Sequence, residues 1–180
     1  MHQNPKKKAI FLDRDGVINQ VLTDRVRFVN KPEDIYLLPG AADAIAIFNR
    51  KGYMVLVTTN QAGVGLGYMT HDELLEIHGH MQAKLINKNP DAHIHEFVAC
   101  THRPKDGCSC RKPEAGMLLQ LARKYDIDLA GSYMIGDQET DICAGKKAGT
   151  KTIRIASTLE ETQANFKFSS LINLAHENIF

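Results

Sequence analysis

The chain has 180 residues, 43% hydrophobic and 24% charged, which is enough to bury one sizeable core and predicts a single domain over residues 1–180. Lysine and arginine number 22 against 21 for aspartate and glutamate, so no strong field recruits nucleic acid or an anionic membrane, and neither is expected as a partner. The start, MHQNPKKKAIFLD, offers four apolar residues before an aspartate, too few for a secretion signal or a membrane span; a cytoplasmic monomer is expected.

KAIFLD, residues 8–13, is a short apolar run ending in acid and reads as a buried strand. After Pro39 and Gly40, AADAIAIFNRKG has apolar residues at helical spacing and stops at Gly52. YMVLVTT, residues 53–59, is a second strand. Thr70 with Glu73 forms a capping box that starts a helix over residues 71–86. HEFVAC follows as a third strand, then GMLLQLARKY as a helix and SYMIGD, residues 132–137, as a fourth strand. A helix through ETDICAGKKAG ends at Gly149, and TKTIRIA forms a fifth strand before a C-terminal helical stretch. Alternating strands and helices predict an α/β protein: a three-layer, doubly wound sandwich around a mostly parallel sheet. Residues 19–38 are long for a strand-to-helix connection, and either cover a site or form an irregular excursion.

Between the third strand and the next helix lies CTHRPKDGCSC, residues 100–110. Clustered thiols in reducing surroundings are more often metal ligands than disulfides. Cys100, His102, Cys108 and Cys110 supply four ligands for a closed, structural Zn2+ site, and Pro104, Asp106 and Gly107 let the chain turn back on itself. The plainer alternative is a polar surface loop with reduced thiols. Cys143, on a predicted helix, reads as a small buried apolar residue.

Ligands of open parallel sheets bind beyond the carboxyl ends of the strands. There the chain places DRDG at residues 13–16, TTNQAG at 58–63, RKP at 111–113 and GDQETD at 136–141. One aspartate after a strand is usually a turn or cap residue; four strand ends with acids, a hydroxyl and a lysine are a different matter. Carboxylates gathered without cations repel unless a hard ion such as Mg2+ lies between them, and Asp13 and Asp137 are the candidate ligands. Such a site takes a phosphorylated ligand, with Thr59, Asn60 and Lys112 completing its charge and hydrogen bonding and the adjacent Gln61 a further substrate contact. Asp13 can then attack phosphorus, and Asp15 can protonate the leaving oxygen and later activate water. Asp141 either orients Lys112 or a water on the metal, or complements a helix dipole.

DRDG, the threonine of TTNQ, the lysine of CRKP and GDQETD resemble, in order and spacing, the four motifs of the haloacid dehalogenase-like (HAD-like) phosphatases. FLDRDGVIN, VTTNQAGVGLG, the cysteine loop running into RKPEAGML, and YMIGDQETDICAG look most like the heptose-bisphosphate phosphatase branch, with histidinol-phosphate phosphatases as near relatives and the alternative reading. The resemblance implies a zinc loop in place of a large cap domain, Asp13 as nucleophile and Asp15 as acid/base. It also implies Mg2+ on the Asp13 and Asp137 carboxylates and the Asp15 backbone carbonyl, with Thr59 and Lys112 on the phosphoryl group and Arg111 on a phosphorylated sugar. The implied reaction removes the C7 phosphate of a heptose 1,7-bisphosphate on the way to heptose nucleotide precursors. Gln138 stands where many members of that branch carry lysine. Arg103 and Lys105 are either solvated loop charges or partners of a second substrate phosphate. A different class of reading, a receiver-like module phosphorylated on Asp13 without turnover, needs no Asp15 beside it.

Overall fold

The computed structural model describes residues 6–156 and 161–180. Six strands, β1 (Ala9–Leu12), β2 (Met54–Asn60), β3 (Glu96–Cys100), β4 (Tyr133–Gly136), β5 (Lys151–Ile155) and β6 (Phe166–Phe168), form one sheet in the order β3-β2-β1-β4-β5-β6. Every neighbouring pair is parallel. Alternation along the strands sends side chains to two cores. Ile10, Leu12, Val55, Val57 and Ile135 face α1 (Ala41–Arg50), α3 (His71–Lys88) and α6 (Leu171–Ala175). Ala9, Phe11, Leu56 and Met134 face α4 (Gly116–Tyr125) and α5 (Glu139–Ala148). The predicted three layers are therefore present. Among the described residues, no helix is long and apolar enough to cross a membrane.

Local chemistry sets the element ends. The Thr70 hydroxyl accepts from the Glu73 amide while the Glu73 carboxylate accepts from the Thr70 amide, the reciprocal pair that starts α3. Gly149 ends α5 at φ 90°, a left-handed conformation that costs glycine little. Three short elements escape the sequence reading: a 3-10 turn at Pro32–Asp34, α2 (Ala62–Gly65) and β6. The C-terminal stretch expected to be helical begins instead, beyond residues 157–160, which lie outside the described residues together with 1–5, as a strand pairing Ile153 with Phe166. Three residues are too few to display a period of two. The last residue, Phe180, packs edge-on against Phe48, Tyr53 and Tyr133 and closes the core under α1 and β4.

The chain winds outward from β1 through β2 to β3, then returns to place β4 on the other side of β1. The strand order thus reverses between β1 and β4, and the crevice beyond their carboxyl ends is where this architecture receives ligands.

Candidate active site

Asp13 follows β1 directly, and its amide donates to the Ile135 carbonyl of β4, so its carboxylate stands at the reversal point. Lys112 is buried there, with Nζ 2.8 Å from Asp13 Oδ1, 2.7 Å from Asp141 Oδ1 and 2.7 Å from the Thr58 carbonyl. All three ammonium donors are met. Burial opposes the Lys112 charge, but Asp13 and Asp141 more than offset it and raise its pKa. Asp13 moves the other way from a typical carboxylate: burial, helped by Asp141 and Asp15 and opposed by Lys112, pushes it up to about 7.

Asp13, Asp137 and Asp141 bring carboxylate oxygens within 4.8 Å of one another. Among the described residues, Lys112 is the cation paired with Asp13 and Asp141. Asp137 Oδ1 is buried without a hydrogen-bond partner, and burial raises the Asp137 pKa. An acid-rich pocket with an orphaned carboxylate oxygen fits a hard divalent cation. Gly16, at φ 81°, lets the chain pass close by; any Cβ there would collide with the Asp137 carboxylate. Asp141 joins both of its expected roles: Oδ1 meets Lys112, while Oδ2 caps α5 by accepting from the Gln138 amide at 3.0 Å. The Gln138 side chain donates to Asp137 Oδ2 at 2.9 Å.

The Asp15 carboxylate belongs to a different network. Arg14, fully buried, grips it with two bonds, Nε to Oδ1 at 3.0 Å and Nη2 to Oδ2 at 2.9 Å. Asn19 Nδ2 reaches Oδ1 at 2.9 Å and Gln61 Nε2 reaches Oδ2 at 3.0 Å. Burial alone would raise the Asp15 pKa, but the Arg14 guanidinium and these hydrogen bonds hold it below the usual carboxylate value. The three acids grouped for a cation do not include the Asp15 side chain, which leaves its backbone carbonyl as its expected contact with Mg2+.

Gln61 is more than a neighbour of the motif threonine. Nε2 also donates to Thr59 Oγ1 at 2.8 Å and Oε1 accepts from Arg14 Nη2 at 3.0 Å, so one side chain links the hydroxyl at the end of β2 to the acid after β1. Asn60 spends its amide on the Lys112 backbone, accepting from its N–H and donating to its carbonyl, both at 3.0 Å. It clamps the loop that carries Lys112.

Cys100, His102, Cys108 and Cys110 converge as predicted. The sulfur pairs are 3.1 to 3.6 Å apart and His102 Nδ1 lies 3.6 Å from Cys100 Sγ and 3.2 Å from Cys110 Sγ. Tetrahedral ligation with Zn–S near 2.3 Å sets sulfurs about 3.8 Å apart, so this thiol and imidazole donor set fits zinc after a small expansion. The loop is laced to the β2 end: the Gln61 amide donates to the Cys100 carbonyl at 2.7 Å, the Gly65 amide to Thr101, and Arg103 Nε to the Gly65 carbonyl at 2.8 Å. Arg103 is a tether here. Arg111 Nη1 is buried with no partner, a donor in reserve one residue from Lys112.

Residues 19–38 border the site. Phe28, Val29 and Asn30 line a cavity of about 380 Å3 together with Asp15, Asn60, Gln61, Gly63, Leu66 and Tyr68. A larger depression, about 540 Å3, lies among Lys7, Lys8, Tyr53 and His95 at the opposite strand ends, away from the paired acids. The sequence reading missed Arg14, Asn19 and His78; an arginine between two acids in DRDG, at a buried strand end, was the available signal that it must be paired.

A parallel sheet with an aspartate at its reversal point, a lysine bridging it to an acid on α5, and a third acid after β4 defines a HAD-like phosphoric monoester hydrolase. The HAD-hydrolase-like family model matches residues 109–167. The chain is 40% identical to a D-glycero-beta-D-manno-heptose-1,7-bisphosphate 7-phosphatase of Bordetella bronchiseptica, over 79% of this chain and 76% of that protein. It is 34% identical to the enzyme of that name from Pseudomonas putida, over 96% and 99%. The crystal structure of D,D-heptose 1,7-bisphosphate phosphatase from B. bronchiseptica, complexed with magnesium and phosphate, superposes with a TM-score of 0.81 at 34% identity, covering 93% of this chain and 96% of that one. The chain belongs to the heptose-1,7-bisphosphate 7-phosphatase family of HAD-like hydrolases.

Proposed function

We propose that this chain hydrolyses the C7 phosphate of D-glycero-D-manno-heptose 1,7-bisphosphate and leaves the C1 phosphate in place. The observation that carries the substrate is the 34–40% identity, over most of both chains, to enzymes named for that reaction. Arg111 supports it, since its unpartnered buried nitrogen beside Lys112 suits a phosphorylated sugar.

In this reading the Asp13 carboxylate attacks phosphorus, the bond from phosphorus to the C7 oxygen breaks, and that oxygen takes a proton from Asp15. Asp15 then removes a proton from water as the water attacks the aspartyl phosphate, which releases inorganic phosphate and restores Asp13. Mg2+ held by Asp13, Asp137 and the Asp15 backbone carbonyl supplies neutralisation of phosphoryl charge. Lys112, turning the donor it gives Asp13 onto the phosphoryl group as Asp13 engages phosphorus, and Thr59 hold the remaining phosphoryl oxygens, and Asn60 fixes Lys112 through its backbone. The Arg14 grip keeps Asp15 ionised until substrate arrives, so the phosphate dianion and the leaving oxygen must draw a proton onto it for the first step. The zinc loop positions Arg111 and Lys112, with no part in bond breaking.

Phosphorus NMR of the reaction with purified protein and Mg2+ tests this. The expected result is loss of the C7 monoester signal, growth of inorganic phosphate and an intact C1 signal. Release of the C1 phosphate first, or no turnover, contradicts it.

A further inference from the structure

His78 lies on the buried stripe of α3 with Leu74, Ile77, Met81 and Leu85, where a histidine is usually only filling space. Here it has a specific neighbour. Its ring stacks on Phe97 of β3 with centroids 4.6 Å apart and planes 15° off parallel, and its Nε2 lies 3.4 Å from Arg14 Nη1. Arg14 is fully exhausted on the other edge: Nε and Nη2 hold Asp15, and Nη2 also reaches Gln61. A guanidinium is a flat, rigid fork, so fixing Nη1 fixes the plane in which the other edge meets a carboxylate.

We infer that His78 is a positioning residue for Asp15: as a neutral acceptor held by Phe97, it sets the plane of the Arg14 guanidinium and, through it, the orientation of the carboxylate that handles the proton. Burial, then the Arg14 charge, push the His78 pKa down to about 3 despite the attraction of Asp15, which keeps Nε2 free to accept. Protonation would place two cations side by side in the core. The link runs from a helix through a buried cation to the acid. His78 also lines a small cleft with Phe97, Ala99 and Thr101. This inference rests on Asp15 being the acid/base of the proposed reaction.

The test compares His78→Leu, which removes the acceptor, with His78→Gln, which keeps one, on phosphate monoesters ranging from alkyl to nitrophenyl leaving groups and on the heptose bisphosphate. A misaligned acid hurts most where the leaving oxygen most needs its proton. His78→Leu should lower kcat on alkyl esters about tenfold, with KM within about twofold and much smaller losses on nitrophenyl phosphate. His78→Gln should restore the wild-type dependence on leaving group. Equal losses across all esters, a defect confined to KM, or a glutamine variant no better than leucine would overturn the inference. Should His78→Leu fail to fold, His78→Asn, polar but too short to reach Arg14, takes its place in the same comparison. Because the ester series does not depend on the heptose substrate, wild-type inactivity on the bisphosphate would count against the proposed substrate and leave the His78 test standing.

Discussion

Asp13 sits under strong electrostatic tension. Its carboxylate is buried beside Asp141 and Asp15, and the pKa of about 7 means that folding without Mg2+ favours the protonated form. The native state therefore binds that proton more tightly than the unfolded chain, whose aspartate titrates near 3.8. Stability of the Mg-free protein on this account falls as pH rises from about 3.8 to about 7 and is level above that. Asp13→Asn keeps the shape and removes the charge. With zinc retained and Mg2+ absent, the variant should melt above the wild type at pH 8, and the gap should narrow towards pH 5. A gap that widens at low pH contradicts the assignment. The same variant should show no turnover on any phosphate ester, because an amide cannot form the acyl phosphate. Asp13, Thr59 and Asp137 were legible because each closes an apolar run, and Lys112 because RKP follows directly on the cysteine loop. Arg14 and His78 were not, because 64 residues separate two side chains that only the packing of α3 brings together.

At the scale of elements, the cysteine loop is joined to the carboxyl end of β2 by bonds from Gln61, Gly65 and Arg103, so its order sets that of its neighbours. Cys110→Ser should release zinc, since a structural site's binding energy is also local folding energy. Hydrogen exchange should then rise both in residues 100–112 and in residues 61–65, and kcat/KM should fall by about tenfold or more with loss of the loop that carries Lys112. Exchange confined to the loop itself would show that the lacing does not transmit. The four ligands and the capping box of α3 were readable from residue types at fixed spacing. The short β6 and α2 carry too few residues for a period to show. Asn60 illustrates a different limit: its motif position marked the right place, but its partner, the Lys112 backbone, lies 52 residues away.

Across the whole molecule, the reversal of strand order between β1 and β4 puts one acid after each and leaves Lys112 to arrive from the β3 side. Asp15, the loop of residues 19–38 and the segment after β2 together wall a cavity of about 380 Å3, near the lower end of the range for small-molecule sites. On the proposed reading, phosphorus reacts at the charged floor of Asp13 and Lys112, and this mixed polar and apolar chamber takes the leaving group. Two phosphates favour a substrate met by Lys112 and Arg111 together, whereas the cationic amine of histidinol phosphate gains nothing from Arg111. The most direct test is kcat/KM for D-glycero-D-manno-heptose 1,7-bisphosphate, as each anomer, against histidinol phosphate at the same Mg2+ concentration. The account predicts that one heptose anomer exceeds histidinol phosphate by tenfold or more, about 1.4 kcal/mol in transition-state stabilisation; a tenfold preference for histidinol phosphate would contradict it.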